Sequence, residues 1–460
     1  MAASSGGVAG RAAPLFGSSG IRGVVGEDLT EQVCEEVGWA VGTLLSAGSR
    51  VCIATDTRLS RDLVRDAVST GLRAAGVEVT EIGILPTPAL AFLTGDMGFD
   101  AGVMVTASHN PPGFNGIKLF TSERIGYSRQ QEAEIERLCR ERSFRTAPRG
   151  TLRRDHTARE RYLGVLAERF KDRLPVGKAR VVVDAGNGAA AGFASELFTR
   201  LGLDVIAVND APDGGFPGRG PEPREDTLRS TAEIVRSHNA ALGVCFDGDA
   251  DRVVFLDKQG FPGFNEAVAA VARLVLGGSS SRKAVATVET GMLLDLALEG
   301  LGVEVVRGRV GDVHVAQLVR ELDAGIGVEP VGVYIIPEMG LYPDSVFAAL
   351  TVLIGMDGTG ELFRQMPRLH YDQGRVPCAN DLKEAVMAEV LGRVDDFGAR
   401  SVNTLDGLRL EFAESWLLIR ASGTEPLVRV VAESGSRTET ERLVRWGVEV
   451  VKKTVSGLET

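Results

Sequence analysis

Residues Val103–Phe120 read Val-Met-Val-Thr-Ala-Ser-His-Asn-Pro-Pro-Gly-Phe-Asn-Gly-Ile-Lys-Leu-Phe. An apolar run that stops abruptly at Thr106 and gives way to Ser108, His109, Asn110, Pro111, Pro112 and Gly113 predicts a buried strand emptying into a tight loop. Ser108 stands at that junction, with His109 beside it and Lys118 further on. As a nucleophile it would have proton-transfer and charge-stabilising groups close by. As a turn residue it would bond only the backbone, with Lys118 in solvent. Local chemistry leaves both readings open.

Outward from this stretch, strands and helices alternate. A helix is expected over 29–45 and a strand over 51–54, then helix 61–75 and strand 77–82. A charged helix follows over 130–142. This alternation predicts mixed or parallel sheets covered on both faces. A second unit of the same kind begins with a helix near 159–170 and strand Arg180–Asp184. It continues through Gly186-Asn187-Gly188 into a helix, strand Asp204–Val208 and strand Leu242–Phe246. A third carries helix 266–276, strand 284–288, helix 292–300 and strand 303–306. From about Tyr371 the pattern becomes that of a small α+β domain. The expected architecture is three similar α/β domains with mixed sheets plus a smaller α+β C-terminal domain, around one central cleft. The boundaries fall at 15–152, 153–256, 257–370 and 371–460, after a disordered extension over 1–14.

The 460 residues suffice for several domains. A net charge of −11 argues against a nucleic-acid surface, so any anionic substrate must be met by a local basic pocket. The five cysteines are scattered without a C-x-x-C pair, which speaks against zinc or a disulfide framework and fits a reducing cytoplasm. No apolar run reaches the roughly 20 residues of a spanning helix, so no membrane association is expected.

Asp247-Gly248-Asp249-Ala250-Asp251-Arg252 follows directly on the predicted strand Leu242–Phe246. Three carboxylates at alternate positions of a loop can converge on one hard cation, and Gly248 lets the backbone turn to allow it. A calcium loop of the EF-hand kind would need glycine and glutamate where Arg252 and Lys258 stand, so magnesium is the better match. Arg420-Ala421-Ser422-Gly423-Thr424-Glu425-Pro426, with Arg429 after it, combines hydroxyls, a glycine amide and guanidiniums that can surround a phosphate dianion. Gly186–Ala191 has the G-x-G-x-x-A spacing of a dinucleotide fingerprint, but that spacing is also common in structural turns.

Thr106–Pro111 with Asn115–Lys118, the D-G-D-A-D-R loop and the R-A-S-G-T-E-P loop together resemble the α-D-phosphohexomutases, and the likeness extends from about Leu15 to the C-terminus. The resemblance implies a phosphoserine at Ser108 and one Mg²⁺ per chain on Ser108, Asp247, Asp249 and Asp251. It also implies Arg22, from the Gly17–Gly23 opening, near the serine, and Arg252 near the transferring phosphate. His109 and Lys118 are candidates for acid-base and electrostatic help. Arg420, Ser422, Gly423, Thr424 and Arg429 are expected to grip the phosphate that is not transferred, and Glu329 to meet sugar hydroxyls.

The expected reaction is interconversion of hexose 6-phosphate and hexose 1-phosphate by a monomer or homodimer, with a bisphosphosugar as activator. Glucosamine phosphate is the first expectation, and mannose or glucose phosphate the alternative. One departure concerns the sugar loop, usually G-G-E-P-S-G in archaeal-type relatives. Here it reads Gly327-Val328-Glu329-Pro330-Val331-Gly332, which keeps the carboxylate and loses a hydroxyl, while Ser345 replaces a glycine downstream. These changes raise a second possibility, a phosphosugar-binding paralogue with little turnover.

Overall fold

The computed structural model describes residues 7–8, 14–17, 19–174, 179–356, 362–393, 398–423 and 425–458. The chain divides into two compact units, Met1–Ala267 with Val331–Phe363, and Val268–Pro330 with Arg364–Thr460.

The first unit opens with β1 (Phe16–Gly17), β2 (Gly20–Val24), β3 (Arg50–Thr55), β4 (Glu78–Ile84), β5 (Ala101–Val105), β6 (Phe114–Thr121) and β7 (Leu152–Arg154). They form one sheet in the order β1-β2-β6-β5-β3-β4-β7. β5 runs parallel to β3 and antiparallel to β6, and all five of its residues are buried. A strand covered on both faces needs no alternation, which is why it reads as a continuous apolar run. β6 returns directly after the loop and pairs Lys118 with Met104 of β5, so Lys118 stands on the central strand next to the one that leads to Ser108. Gly116 makes this possible: a Cβ there would lie 2.2 Å from the Ile21 carbonyl and 2.5 Å from that of Thr106.

Helices Glu31–Leu44, Arg61–Ala74 and Arg129–Glu141 lie close to their expected positions. Helix Thr87–Asp96 was not legible because residues 87–94 are all buried, leaving no polar face to set a period. The boundary expected at 152/153 falls inside β7, which pairs with β4. Within 1–14, only residues 7, 8 and 14 are described, and there the Val8 amide donates to Glu36 Oε2 at 2.8 Å.

A second mixed sheet in the same unit, ordered β11-β10-β8-β9, contains β8 (Arg180–Asp184), β9 (Asp204–Val208), β10 (Leu242–Phe246) and β11 (Val253–Leu256). The helix expected straight after Gly186-Asn187-Gly188 begins only at Ala194. Gly186, Asn187 and Gly192 have φ of +54°, +59° and +68°, and left-handed residues cannot continue a right-handed helix. The turn instead supports the acidic loop, since the Ala189 amide donates to the Gly248 carbonyl at 2.9 Å.

The second unit contains the parallel strands β12 (Lys283–Thr287), β13 (Glu304–Gly308) and β14 (Ile326–Glu329), with β12 between the other two. The chain then passes through β15 (Val333–Ile335) and helix Ser345–Gly355, which belong to the first unit. It ends in an antiparallel sheet ordered β16-β20-β19-β18-β17, made of β16 (His370–Pro377), β17 (Ser401–Asn403), β18 (Leu408–Glu411), β19 (Ser415–Ala421) and β20 (Leu427–Ser434). Helix Arg437–Leu458 buries Leu443, Val444, Val451 and Val455 in the core beneath that sheet.

Inside this unit the buried Arg409 joins the two parts. Its Nη1 donates to the carbonyls of Val288 and Thr290 at 2.7 and 2.9 Å, and its guanidinium lies 4.0 Å from the Trp416 ring centre. Such a buried cation is tolerable because its donors meet carbonyls and its face meets an aromatic ring.

Candidate active site

Ser108 is wholly buried and has φ of +50°. Its amide donates to Thr106 Oγ1 at 2.9 Å, and its hydroxyl donates to Asp247 Oδ2 at 2.6 Å, with Asp251 Oδ1 at 3.5 Å and His109 Nδ1 at 3.3 Å. Residues far apart in sequence are thereby drawn to one point. Gly248 is required where the two loops touch, because a Cβ would lie 2.5 Å from the Ser108 carbonyl.

The carboxylates of Asp247, Asp249 and Asp251 each offer an oxygen within 4.8 Å of the others, and all three are buried. Lys118 Nζ donates to Asp249 Oδ2 at 2.8 Å and Asp251 Oδ2 at 2.5 Å, and Thr87 Oγ1 also donates to Asp249 Oδ2 at 2.6 Å. Burial and the two neighbouring carboxylates push the Asp247 carboxyl well above the usual range. At Asp251 burial acts in the same direction, but Lys118 and Arg252 overcome it and hold the carboxyl at about 2. The second oxygen of Asp249 is buried without a hydrogen-bond partner. Three converging carboxylates and one orphaned oxygen fit a divalent cation.

His109 is held down to about 2, chiefly by the Arg252 guanidinium and then by burial and Arg22, so its imidazole is neutral near pH 7. Arg22 Nη1 donates to Asn110 Oδ1 at 2.8 Å, which places it on the serine loop, and the Arg252 amide donates to Asp247 Oδ1 at 3.1 Å. Ser108, His109, Lys118, Arg22, Arg252 and the three aspartates thus gather in the first unit.

Sequence reasoning missed what holds this loop. Arg58 is fully buried beneath it, with Nε on Asp56 Oδ2 at 3.0 Å, Nη1 on the carbonyls of Pro111 and Phe114, and Nη2 on those of Ser108 and Asn110. Thr106 Oγ1 donates to the same Asp56 oxygen at 2.7 Å. The signal available was Asp56-Thr57-Arg58 at the end of an apolar strand, the same pattern that drew attention to Ser108.

Ser345, read as a departure, has a place here too. Its hydroxyl donates to the Ala250 carbonyl at 2.5 Å, pinning the acidic loop where Ala250 has φ of +57°. Asp344 before it caps helix Ser345–Gly355, accepting from the Phe347 amide at 2.9 Å, and also accepts from Tyr162 Oη at 2.6 Å. Burial pushes the Asp344 carboxyl up to about 6, against the pull of these hydrogen bonds.

Between the ordinary carboxyl pKa and about 6 the folded protein therefore holds a proton that the unfolded chain has released. Asp344 contributes stability that is present in acid and lost as pH rises through about 6. In Asp344→Asn that titration is absent, so the variant gains on the wild type between pH 4.5 and pH 8, whatever the fixed cost of the amide. Denaturant midpoints across this range measure the gap, and a constant gap contradicts the shifted carboxyl.

In the second unit, Glu329 is buried at the end of β14, and its Oε1 accepts from the Gly311 amide at 2.6 Å, at the start of helix Asp312–Leu322. Val328 is a buried strand residue paired with Ala286, so valine there packs the core. Arg420 is held between Asp406 Oδ1 at 3.0 Å and Glu289 Oε1 at 3.1 Å. The Ser422 hydroxyl accepts from the Glu425 amide at 3.1 Å, and Lys383 Nζ clamps the Ser422 and Glu425 carbonyls at 2.6 Å each. Gly423 is exposed, and Thr424 lies outside the described residues.

Register adds what spacing did not disclose. Arg375, Arg429 and Arg420 are direct partners across β16, β20 and β19, so three guanidinium side chains leave one face of the sheet in a row. Like charges so placed repel. Glu425, Asp406 and Glu289 offset part of that repulsion, while Arg429 Nε stays buried without a hydrogen-bond partner. An anion suits this face.

Comparison with known proteins agrees with this geometry. The models for phosphoglucomutase/phosphomannomutase alpha/beta/alpha domains I, II and III match residues 13–146, 160–260 and 265–370, and that for the C-terminal domain matches residues 375–445. A "Probable phosphoglucosamine mutase" of Methanopyrus kandleri is 39% identical over 96% of this chain and 98% of its own length. The "Phosphoglucosamine mutase" of Methanocaldococcus jannaschii is 35% identical over 96% of this chain and 99% of its own. A solved phosphoglucomutase/phosphomannomutase family protein from Burkholderia thailandensis superposes with a TM-score of 0.85 at 26% identity, over 95% of this chain and 97% of that one.

Fold and relatives together define an isomerase that works by phosphoryl transfer, a mutase. The chain belongs to the phosphoglucomutase/phosphomannomutase family, with all four of its domains in order. No helix among the described residues is long and apolar enough to cross a membrane.

Proposed function

We propose that the chain interconverts glucosamine 6-phosphate and glucosamine 1-phosphate through a phosphoserine at Ser108 and a bisphosphosugar intermediate, as a monomer or homodimer in the cytoplasm. The observation that carries this reading is the buried Ser108 hydroxyl, 2.6 Å from Asp247 within a cluster of three carboxylates. The choice of sugar rests on the names of the curated relatives.

In the first transfer the bond between phosphorus and Ser108 Oγ breaks as one forms to the free hydroxyl of the sugar phosphate. In net terms the sugar's proton passes to Oγ. The second transfer reverses this with the other phosphate of the reoriented bisphosphosugar, which also explains why a trace of bisphosphosugar would prime unphosphorylated enzyme. Mg²⁺ held by Asp247, Asp249, Asp251 and Ser108 would neutralise charge on the moving group.

Lys118, bonded to Asp249 and Asp251, is a fixed cation beside the reacting oxygen. His109, neutral and 3.3 Å from Oγ, is the ring placed to hydrogen-bond the reacting oxygen. Arg22 and Arg252 face the transferred phosphoryl group. Arg420, Ser422, Gly423, Thr424 and Arg429 would hold the other phosphate, joined by Arg375, and Glu329 would accept from a sugar hydroxyl.

The test is conversion of glucosamine, mannose and glucose 1-phosphates to their 6-phosphates, with Mg²⁺ and a trace of bisphosphosugar, and again after chelation. A preference for glucosamine 1-phosphate that disappears on chelation is the expected result. Preference for mannose or glucose phosphate would move the assignment to those sugars. No turnover of any of the three by folded protein would overturn the mutase reading and leave a phosphosugar-binding paralogue.

A further inference from the structure

A cavity of about 560 Å³ opens in the first unit at the carboxyl ends of β3 and β4, where Arg61, Arg65, Arg154, His156 and Arg159 face it beside Ile84. The size is that of a small-molecule site. None of the residues assigned to phosphoryl transfer lines it.

Four guanidiniums here meet three carboxylates, and those carboxylates are already engaged. Glu81 lies between Arg65 Nε at 3.3 Å and Arg154 Nε at 2.9 Å. Asp62 is met by Arg65 Nη1 at 2.8 Å. Asp155 Oδ1 turns away to accept from the Thr157 amide and hydroxyl at 2.6 and 2.7 Å. Arg65, one edge of Arg154 and Arg61 Nη2, 3.8 Å from Asp62 Oδ2, therefore serve the acids. Arg154 keeps both terminal nitrogens, Arg61 keeps Nε, and Arg159 uses Nη2 alone, on Glu196 and the Gly192 carbonyl. Planar forks with donors to give, ringing a cavity with an apolar wall, suit a phosphate or diphosphate ester.

We propose that this cavity is a second anion site, taking a small metabolite that carries a phosphate or diphosphate group. It is joined to the serine loop through one side chain. Arg61 Nη1 donates to the carbonyls of Thr57 and Arg58 at 3.1 and 3.3 Å, and Arg58 is the clamp on the Ser108 and Asn110 carbonyls. An occupant drawn to Arg61 thus stiffens the segment that positions Ser108.

Inorganic pyrophosphate is the probe, titrated by calorimetry against the full chain and against Arg154→Ala, Arg159→Gln and Arg420→Ala. Arg154 is largely exposed, so its loss leaves the fold intact, which equal thermal midpoints verify. Arg154→Ala and Arg159→Gln each weaken one class of binding by at least about tenfold, as loss of a charge-assisted fork should, while Arg420→Ala leaves that class unchanged. In the wild type, pyrophosphate also slows amide exchange across residues 56–61, and in Arg154→Ala it does not. Binding that ignores Arg154 and Arg159, binding that vanishes in Arg420→Ala alone, or no binding at millimolar pyrophosphate overturns the proposal. None of these readouts uses turnover, so the outcome is independent of the proposed mutase activity.

Discussion

Ser108→Ala loses turnover by at least about 10⁴-fold, because the group that carries the phosphoryl is removed and no neighbour can replace it. The fold survives. Among the described residues, the side chains that Ser108 Oγ hydrogen-bonds are Asp247, Asp251 and His109, so its removal costs a hydrogen bond and leaves the clamp beneath the loop in place. Asp247, whose carboxyl is already pushed up, can keep a proton when the hydroxyl is gone. Intact-mass measurement separates this outcome from misfolding. Wild-type protein treated with bisphosphosugar carries an extra mass of about 80 Da for one phosphoryl group, and Ser108→Ala does not. Equal phosphate on both proteins would place the phosphoryl group elsewhere, and turnover by the alanine variant would remove Ser108 from the mechanism.

The second large effect is on stability. Arg58→Ala leaves Asp56 buried without its cation and takes donors from four carbonyls of the serine loop. Breaking one partner of a buried ion pair costs about 3–5 kcal/mol, a large part of the roughly 5–15 kcal/mol that holds a domain together. The deficit is smaller in acid. Burial already pushes Asp56 up to about 6 against the pull of Arg58, so without Arg58 the abandoned carboxyl rises further and takes a proton in acid. Denaturant midpoints at pH 5 and pH 8 measure both effects, and an unchanged midpoint would show that the clamp is not needed for folding.

Arg58→Lys tests positioning. Lysine is a compact charge with three donors and cannot span Asp56 and four carbonyls at once. That variant folds but turns over about 100-fold more slowly, the scale expected for displacement of a reacting group by about 1 Å. A lysine variant with wild-type turnover would restrict Arg58 to a structural role.

Much of the site was legible because its groups are contiguous in the chain. Asp247, Asp249 and Asp251 occupy one loop, and Ser108 and His109 one strand end, so spacing alone brings them together. The strands Arg180–Asp184, Asp204–Val208 and Leu242–Phe246 were legible to the residue because each is a short, largely apolar, valine-rich or aromatic run bounded by turns, the first and third of them buried at the sheet centre. Helices Thr87–Asp96 and Ser345–Gly355 were not, since an element buried on every side carries no polar period.

The sequence by itself determined the α/β class, the family, the serine loop and the acidic loop, each of which is written in consecutive residues. Tertiary structure alone decided that Arg58 reaches the Ser108 carbonyl from 50 residues away and that Ser345 pins Ala250 across 95. It also set Arg375, Arg429 and Arg420 in one row on three strands. A hydrogen bond depends on position in space to a few tenths of an ångström. Between residues so far apart in the chain, only the packed fold sets that position.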